Sequence, residues 1–392
     1  MSRILIVSSV DRSAVGGVAT YVRNLEEELR RLGLSCKVLE RSMSSRCRRS
    51  SNQYSLGFLF RRKEYFMSIA EQLLEVVMHE IEEGDLVHTQ DPFTSLLIRR
   101  YFPTAVIVLT VHGMNSEHVL ESISAAKGLK ALFKRISGYN TSRLRRLKRL
   151  EKLGLSAADE LIAVDSNYAS RAIGAGNSSE RIQIIHNSVP MDALQSLAER
   201  QPVYHPPVPY FLSARRLWPK NGVEYAVLAF LSWVGERNLN FVIAGDGPQM
   251  ERISKHCSSS PYGHKVVLLG DVAFENIPSL MKRSIATIVP SVPVGGVIEA
   301  TSFAALESLA LGVPVIASDI GGLAEIDGGK QIMHLVPPAD VASIAKAMER
   351  AYLEYISGSF DPSILRRHIS DNFSSDVWVR KIAYVYNRDL GA

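Results

Sequence analysis

Short apolar runs rich in β-branched residues alternate with segments of helical periodicity along nearly the whole chain. Val18, Val22, Leu25 and Leu29 recur at helical spacing, and Gly33 closes the helix that they predict over Val18–Arg31. Alternation of this kind is typical of parallel sheets covered by helices. In the first half we predict strands at Ile4–Val7, Cys36–Leu39, Leu86–His88, Ala105–Val111, Leu161–Val164 and Ile182–Ile185.

The second half repeats the pattern of the first. Helical segments separate five further buried runs, at Tyr210–Ser213, Asn240–Ala244, Val266–Leu269, Ile285–Val289 and Val313–Ala317. A doubly wound α/β unit therefore occurs twice along the chain. Two Rossmann-like domains that face each other across a cleft would place the carboxyl ends of two parallel sheets around one ligand.

Prolines predict the boundary between the two units. Residues 201–210 hold four prolines, so this segment is expected to be a stiff extended linker and not a helix. We predict an N-terminal domain over 1–200, a linker over 201–209 and a C-terminal domain over 210–376. Residues 377–392 predict a helix with Trp378, Ile382 and Val385 on one side, and packing of this helix on the N-terminal domain is a further hypothesis.

Composition and charge narrow the class of protein. With 46% apolar and 22% charged residues among 392, the chain is expected to fold, and no apolar run is long enough to span a membrane. Three scattered cysteines favour a reducing, cytoplasmic compartment, and Ile4–Val7 is interpreted as a strand and not as part of a secretory signal. The net charge of +5 comes from two basic segments, 41–63 and 127–152. Each is either a solvated face or a surface for anionic lipid or a phosphorylated substrate.

Two glutamates carry the first chemical signal. Glu299 and Glu307 lie eight positions apart, too far on a helix to form the close carboxylate pair of a glycosidase. The spacing suits an elongated ligand with hydroxyls at both ends. The backbone amides of Ser302, Phe303 and Ala304 would then meet an anion in its middle, at a helix start. The alternative is two unrelated glutamates on a solvated helix.

The surrounding residues resemble glycosyltransferase family 4, whose members are retaining enzymes of GT-B architecture that use nucleotide sugars. The family's hallmark is a Glu-x7-Glu element followed by a Gly-x-Pro-Val strand and an Asp-x-Gly-Gly loop. These are similar to Glu299…Glu307, Gly312–Val315 and Asp319–Gly322 here. The resemblance extends over most of the chain, through Gly16-Gly17-Val18, Asp85–His88, Thr110–Gly113, Ile185–Val189, Gly245–Pro248 and Pro290-Ser291.

The resemblance implies roles for individual residues. Glu299 would bind the hydroxyls of the donor sugar, Glu307 the ribose, and His112 the sugar, although a His at a strand end is often structural. Gly16 and Gly17 would bring backbone amides to a phosphate, or would merely form a turn.

The resemblance also assigns an Arg and a Lys to the leaving diphosphate, and we predict Arg216 and Lys220. Their spacing is four where the family has five, with Asn221 in the usual Lys position. Either Arg215 takes the arginine role instead, or Lys220 reaches the diphosphate from one position earlier.

The chain carries no Asp-x-Asp motif and no other metal-ligand pattern, so we expect chemistry without a metal or cofactor. The predicted function is retaining transfer of a hexose from a UDP-, GDP- or ADP-sugar to a sugar or lipid-linked hydroxyl. The alternatives are a nucleotide-sugar epimerase and a non-catalytic sugar-nucleotide-binding protein at a membrane surface. An amphipathic helix with Leu144, Leu147, Leu150 and Leu153 between basic residues suggests peripheral docking on an anionic membrane. Nucleic-acid binding is not expected, because the basic segments lack interleaved aromatic residues.

Overall fold

The computed structural model describes residues 3–14, 16–45, 62–117 and 141–390. The chain divides into two compact units, Met1–His186 with Asp376–Ala392, and Asn187–Ser375. Most of the basic segment 41–63 and the part of 127–152 before Thr141 lie outside the described residues.

The first unit is built on a six-stranded parallel sheet in the order β2-β1-β3-β4-β5-β6. Its strands are β1 (Ile4–Ser8), β2 (Cys36–Glu40), β3 (Leu86–Thr89), β4 (Val106–Val111), β5 (Glu160–Ala163) and β6 (Ile182–Ile184). The central strands are buried on both faces, which is why they appear in the sequence as continuous apolar runs. Its helices before the chain crosses to the second unit are α1 (Gly17–Arg31), α2 (Arg62–Met78), α3 (Pro92–Tyr101), α4 (Thr141–Ala157) and α5 (Ser166–Gly174).

The second unit repeats this design, with a parallel sheet in the order β12-β11-β10-β7-β8-β9. Its strands are β7 (Tyr210–Ala214), β8 (Asn240–Ala244), β9 (Val266–Gly270), β10 (Thr287–Val289), β11 (Val315–Ser318) and β12 (His334–Val336). Its helices are α6 (Met191–Ala198), α7 (Val223–Trp233), α8 (Met250–Ser258), α9 (Ile277–Lys282), α10 (Phe303–Ala310), α11 (Gly321–Asp327), α12 (Val341–Ser357) and α13 (Pro362–Phe373). The two parallel sheets with flanking helices confirm the predicted α/β class.

The eleven predicted strands are present, with ends that move by at most two residues. Strand β12 was not predicted. It is three residues long, lies at the sheet edge and begins with His334. Two of its three residues are only half-buried, so no apolar run marks it.

The predicted boundary after residue 200 differs from the division that the structure shows. Helix α6 belongs to the second unit, because its apolar residues Leu194 and Ala198 pack in that unit's core with Leu280. Residues 201–209 therefore connect α6 to β7 inside the second unit, and their prolines mark an extended loop and not a boundary between domains.

The last helix, α14 (Ser375–Leu390), returns the chain to the first unit. Trp378, Ile382 and Tyr386 are buried in a core that also contains Tyr21 and Leu25 of α1. Among the helices of the described ranges, none is both long enough and apolar enough to cross a bilayer.

Candidate active site

The sheet of the second unit has a topological switch point between β7 and β10. From β7 the chain continues to β8 and β9 on one side, and β10 to β12 then fill the other side. Loops that leave adjacent strands in opposite directions open a crevice at the carboxyl ends, where α/β sheets bind ligands. Arg215 directly follows β7, and Ser291 comes two residues after β10.

Arg215 is the centre of the polar contacts at this edge. Its Nη2 donates to Glu299 Oε1 at 2.8 Å and to Asn221 Oδ1 at 3.0 Å, and its Nη1 donates to Ser291 Oγ at 2.9 Å. The side chains of Arg215 and Glu299 are 8% and 14% exposed, so both charges are largely removed from water and depend on each other. The structure therefore brings a predicted carboxylate and a cation together at the switch point.

Arg216 and Lys220 occupy different surroundings. The side chain of Arg216 is exposed. Its carbonyl oxygen accepts a hydrogen bond from Asn221 Nδ2 at 2.6 Å. Lys220 is half-buried in the turn that precedes α7, where its carbonyl accepts from the amide of Val292 at 2.8 Å. Arg215 and Lys220 have the five-residue spacing that the family resemblance implies. The geometry therefore favours the first alternative, in which Arg215 takes the arginine role.

The loop that carries Glu299 precedes α10 and is held by neighbouring backbone. The amide of Gly322 donates to Glu299 O at 3.1 Å, and Asn187 Nδ2 donates to Thr301 O at 2.8 Å. A Cβ at Gly322 would lie 2.4 Å from the backbone of Ala300 and Thr301. The start of α11 needs glycine at this position because it packs directly on the backbone of the loop that carries Glu299.

A second glycine contact supports the arginine. The turn after β8 packs on the backbone that follows β7, and a Cβ at Gly245 would lie 2.0 Å from Arg215 O. Gly245 also has a φ of 157°, which residues with a side chain rarely adopt. Close packing beside Arg215 therefore explains why glycine is needed at position 245.

Helix α10 begins beside Glu299 with an uncapped end. Ser302 is the N-cap residue, and its side chain forms no capping hydrogen bond. The predicted anion donors Ser302, Phe303 and Ala304 therefore lie at the positive end of a helix, with orphan N–H groups. Ser302 is buried, whereas Phe303 and Ala304 are half-buried.

Glu307 lies farther along the same helix. It is only 8% exposed, and burial raises the pKa of its carboxyl group from 4.5 to about 8. At neutral pH it is thus a protonated acid that can both donate and accept hydrogen bonds. The helix begins only at Phe303, so Glu299 lies in the preceding loop and the two glutamates are not on one continuous helix.

In the first unit, His112 follows β4 and Gln90 follows the neighbouring parallel strand β3. His112 Nε2 donates to Gln90 Oε1 at 2.7 Å, which leaves Nδ1 as an acceptor. Burial lowers the pKa of His112 to about 3, so the ring is neutral at physiological pH. The edge of Tyr21 packs on this ring, with centroids 4.6 Å apart.

Gly16 and Gly17 lie where α1 begins, five and four residues before Tyr21. Gly16 is the N-cap residue with a φ of 148°, and no side chain caps the helix. Like His112, these glycines follow a strand of the first sheet, since they end the connection from β1 to α1.

Gln90, Ser291, Asn187 and Asn221 were not predicted as site residues. Gln90 and Ser291 could have been found from their position just beyond predicted strands, which is where parallel sheets place ligand contacts. Asn187 offers no such signal, because its contact with Thr301 joins residues 114 positions apart. Within the described ranges, no three His, Cys, Asp or Glu side chains are placed to hold a metal ion.

Comparison with known proteins identifies the family of both units. Residues 15–193 match the family described as Glycosyltransferase Family 4, and residues 198–372 match Glycosyl transferases group 1. An uncharacterized glycosyltransferase of Methanocaldococcus jannaschii, MJ1607, is 32% identical over 174 residues, which are 43% of each chain. The chain spans less than half the length of each of the first curated relatives that it matches.

Solved structures share the fold over the whole chain. Sucrose-phosphate synthase from Thermosynechococcus elongatus is 18% identical, with full coverage of both chains and a TM-score of 0.75. Anabaena Alr3699/HepE in complex with UDP is 15% identical, with coverage of 99% and 100% and a TM-score of 0.68. Together, the matches of both units and the shared two-sheet fold show that the chain belongs to the GT-B glycosyltransferases of the family 4 type.

Proposed function

We propose that this protein is a retaining, metal-independent glycosyltransferase that moves a hexose from a nucleoside-diphosphate sugar to a hydroxyl acceptor. The acceptor would be a glycan, a lipid-linked sugar or a small molecule. The observation that carries the proposal is the Arg215–Glu299 pair at the switch point of the second sheet. Glu299 lies in the segment that leads into the uncapped start of α10. This arrangement offers a carboxylate for sugar hydroxyls and positive groups for a diphosphate.

In the proposed reaction, negative charge develops on the departing diphosphate, where groups of the second unit can stabilise it. When the bond between the anomeric carbon and the phosphate oxygen breaks, its electron pair stays on the diphosphate. Arg215, Lys220 and the first amides of α10 would stabilise this developing charge, so no divalent cation is required. The acceptor oxygen would form its bond on the same face of the sugar and pass its proton to the departing phosphate oxygen.

Two neutral groups would bind the uncharged parts of the donor. His112 Nδ1, which is free to accept, would bind a hydroxyl of the transferred sugar. The protonated Glu307 would bind the ribose hydroxyls, since an acid can both donate to and accept from a diol. The Anabaena protein was solved with UDP and also with UDP-glucose, which favours a uridine donor as the first to test.

We also propose that the exposed basic face of α4 binds an anionic membrane surface. Arg145, Arg146, Lys148 and Arg149 are exposed, whereas Leu147 between them is buried in the unit. Leu144 and Leu150 are half-buried, whereas Leu153 of the same predicted apolar stripe is exposed. The four basic side chains face solvent. Attraction would be electrostatic, at about 1 kcal/mol for each basic residue near an anionic surface.

Donor binding and transfer test the proposed reaction. One of UDP, GDP and ADP should raise the melting temperature in the presence of EDTA, and its sugar should be consumed with retention of anomeric configuration, followed by NMR. Stabilisation by none of the three, or by one of them only with added Mg²⁺, would contradict the proposal. Appearance of an epimerised donor without acceptor would indicate an epimerase instead.

The two adjacent arginines form a matched pair for the diphosphate site. We expect Arg215→Ala to lower the transfer rate by about a hundredfold or more, because a preorganised charge is lost from the leaving group. Arg216→Ala should stay within about threefold of the parent, since its side chain is exposed. The reverse order, in steady-state kinetics of variants with unchanged circular dichroism, would restore the original prediction of Arg216.

Glu307 predicts a dependence of stability on pH. The folded state keeps a proton that the unfolded chain releases, so stability should fall as pH rises from the ordinary value of 4.5 to about 8. Glu307→Gln has no such proton, and its melting temperature should rise relative to the parent between about pH 5 and about pH 9. Glu349→Gln, at an exposed position of α12, is the control. If the melting temperatures of the parent and Glu307→Gln differed by the same amount at all pH values, the raised pKa of Glu307 would be refuted.

Vesicle flotation tests the basic face of α4. The protein should float with phosphatidylserine-containing vesicles at low salt and not with phosphatidylcholine alone. Replacing Arg145, Arg146, Lys148 and Arg149 by Glu should abolish binding, whereas replacing the arginines by Lys should preserve it. Absence of flotation at low salt, or equal binding of the Glu variant, would reject membrane docking.

A further inference from the structure

A chain of buried hydrogen bonds crosses the core of the first unit. It begins on α14, where the hydroxyl of Tyr386 lies 2.6 Å from His88 Nδ1. His88 Nε2 lies 2.7 Å from Thr110 Oγ1, which in turn lies 3.0 Å from the hydroxyl of Tyr21. All four side chains are at most 2% exposed. The chain thus links the last helix to the first through strands β3 and β4.

The direction of the hydrogen bonds follows from counting donors. Burial lowers the pKa of His88 to about 3, so its ring is neutral and has one N–H donor and one acceptor. Within the described residues, the Tyr386 hydroxyl has only His88 Nδ1 as a partner, so Tyr386 donates and Nδ1 accepts. His88 therefore carries its proton on Nε2 and donates it to Thr110 Oγ1.

Tyr21 joins this chain to the candidate sugar ligand. Its ring meets the ring of Trp378 at 4.9 Å and the ring of His112 at 4.6 Å, with interplanar angles of 88° and 81°. The hydrogen bond between the Tyr21 hydroxyl and Thr110, together with the contact with Trp378, fixes the position of the Tyr21 ring in the core. The imidazole of His112 is then fixed from two sides, by the Tyr21 edge and by Gln90.

Packing alone does not require these polar groups. Phe and Leu side chains at the same positions would fill the core without the cost of burying hydroxyls and an imidazole. A connected polar chain, in contrast, holds each member in one orientation. The chain ends at Tyr21, which packs against His112. A fixed orientation of the His112 ring matters for binding a sugar hydroxyl.

We propose that Tyr386, His88 and Thr110 are positioning residues that act through Tyr21 to hold His112 in the orientation needed for the donor sugar. The inference rests on the proposed role of His112 as a sugar ligand. The proposal also gives helix α14 a role in the first unit, because this helix supplies both Tyr386 and Trp378.

The state of the His112 ring can be observed without any substrate. In protein labelled with ¹⁵N-histidine, long-range ¹H–¹⁵N spectra should show His112 and His88 each as a single tautomer protonated on Nε2. His112→Asn and His88→Gln assign the signals. In Tyr386→Phe, the signals of both His88 and His112 should shift. Tyr384→Phe is the matched control on the same helix, because Tyr384 is 67% exposed and should change neither.

Thr110 provides a second pair of variants. Thr110→Val keeps the shape and loses the hydroxyl, so it should reproduce the effect of Tyr386→Phe on His112. Thr110→Ser keeps the hydroxyl and should restore the parent signals. A shift of His88 alone, with His112 unchanged in both Tyr386→Phe and Thr110→Val, would show that the chain is merely structural and would overturn the proposal.

Kinetics then show whether the effect passes through His112. With the donor found by melting temperature, Tyr386→Phe should lower kcat about tenfold and leave KM for the acceptor unchanged. The same substitution in a His112→Ala background should cause no further loss. An equal loss in both backgrounds would refute action through His112. If no nucleotide sugar is a substrate, the proposed function fails, while the spectra still decide the positioning role.

Discussion

The buried pair of Arg215 and Glu299 is the interaction on which the candidate site depends. A guanidinium and a carboxylate that are both largely removed from water must be paired, since either one alone would carry a large desolvation cost. The remaining partners of Arg215, Asn221 and Ser291, satisfy further N–H groups and fix its plane. The sheet order makes this possible, because it is the switch between β7 and β10 that brings Arg215 and Ser291 to one edge.

Backbone packing around the pair explains two glycines of the second unit. Gly245 lets the turn after β8 approach the carbonyl of Arg215, and Gly322 lets the start of α11 approach Ala300 and Thr301. Side chains at these positions would displace the two loops that hold the ion pair. The glycines thus act by being small, and they support the candidate site residues Arg215 and Glu299.

The first unit shows how a distant part of the chain can complete a local environment. Residues 376–392 belong to this unit, although nearly two hundred residues of the second unit precede them. Helix α14 contributes Trp378 and Tyr386 to the surroundings of Tyr21 and His88. In the second unit, Val189 and Ser374 form a parallel bridge, so the first and last residues of that unit lie close together.

Periodicity and apolar runs determined the two doubly wound sheets, because strands buried on both faces are continuous apolar segments. The same rule failed for β12, whose His334 lies at a half-buried edge. Local motifs also determined the candidate residues Glu299, Glu307 and His112, since each lies beside a recognisable strand or helix start. Tertiary structure alone decided that Arg215 and not Arg216 faces Glu299, because this contact joins residues 84 positions apart in the chain. The hydrogen bonds of Tyr386 to His88 and of Asn187 to Thr301 also depend on tertiary structure alone. They join residues 298 and 114 positions apart, so no local sequence pattern can predict them.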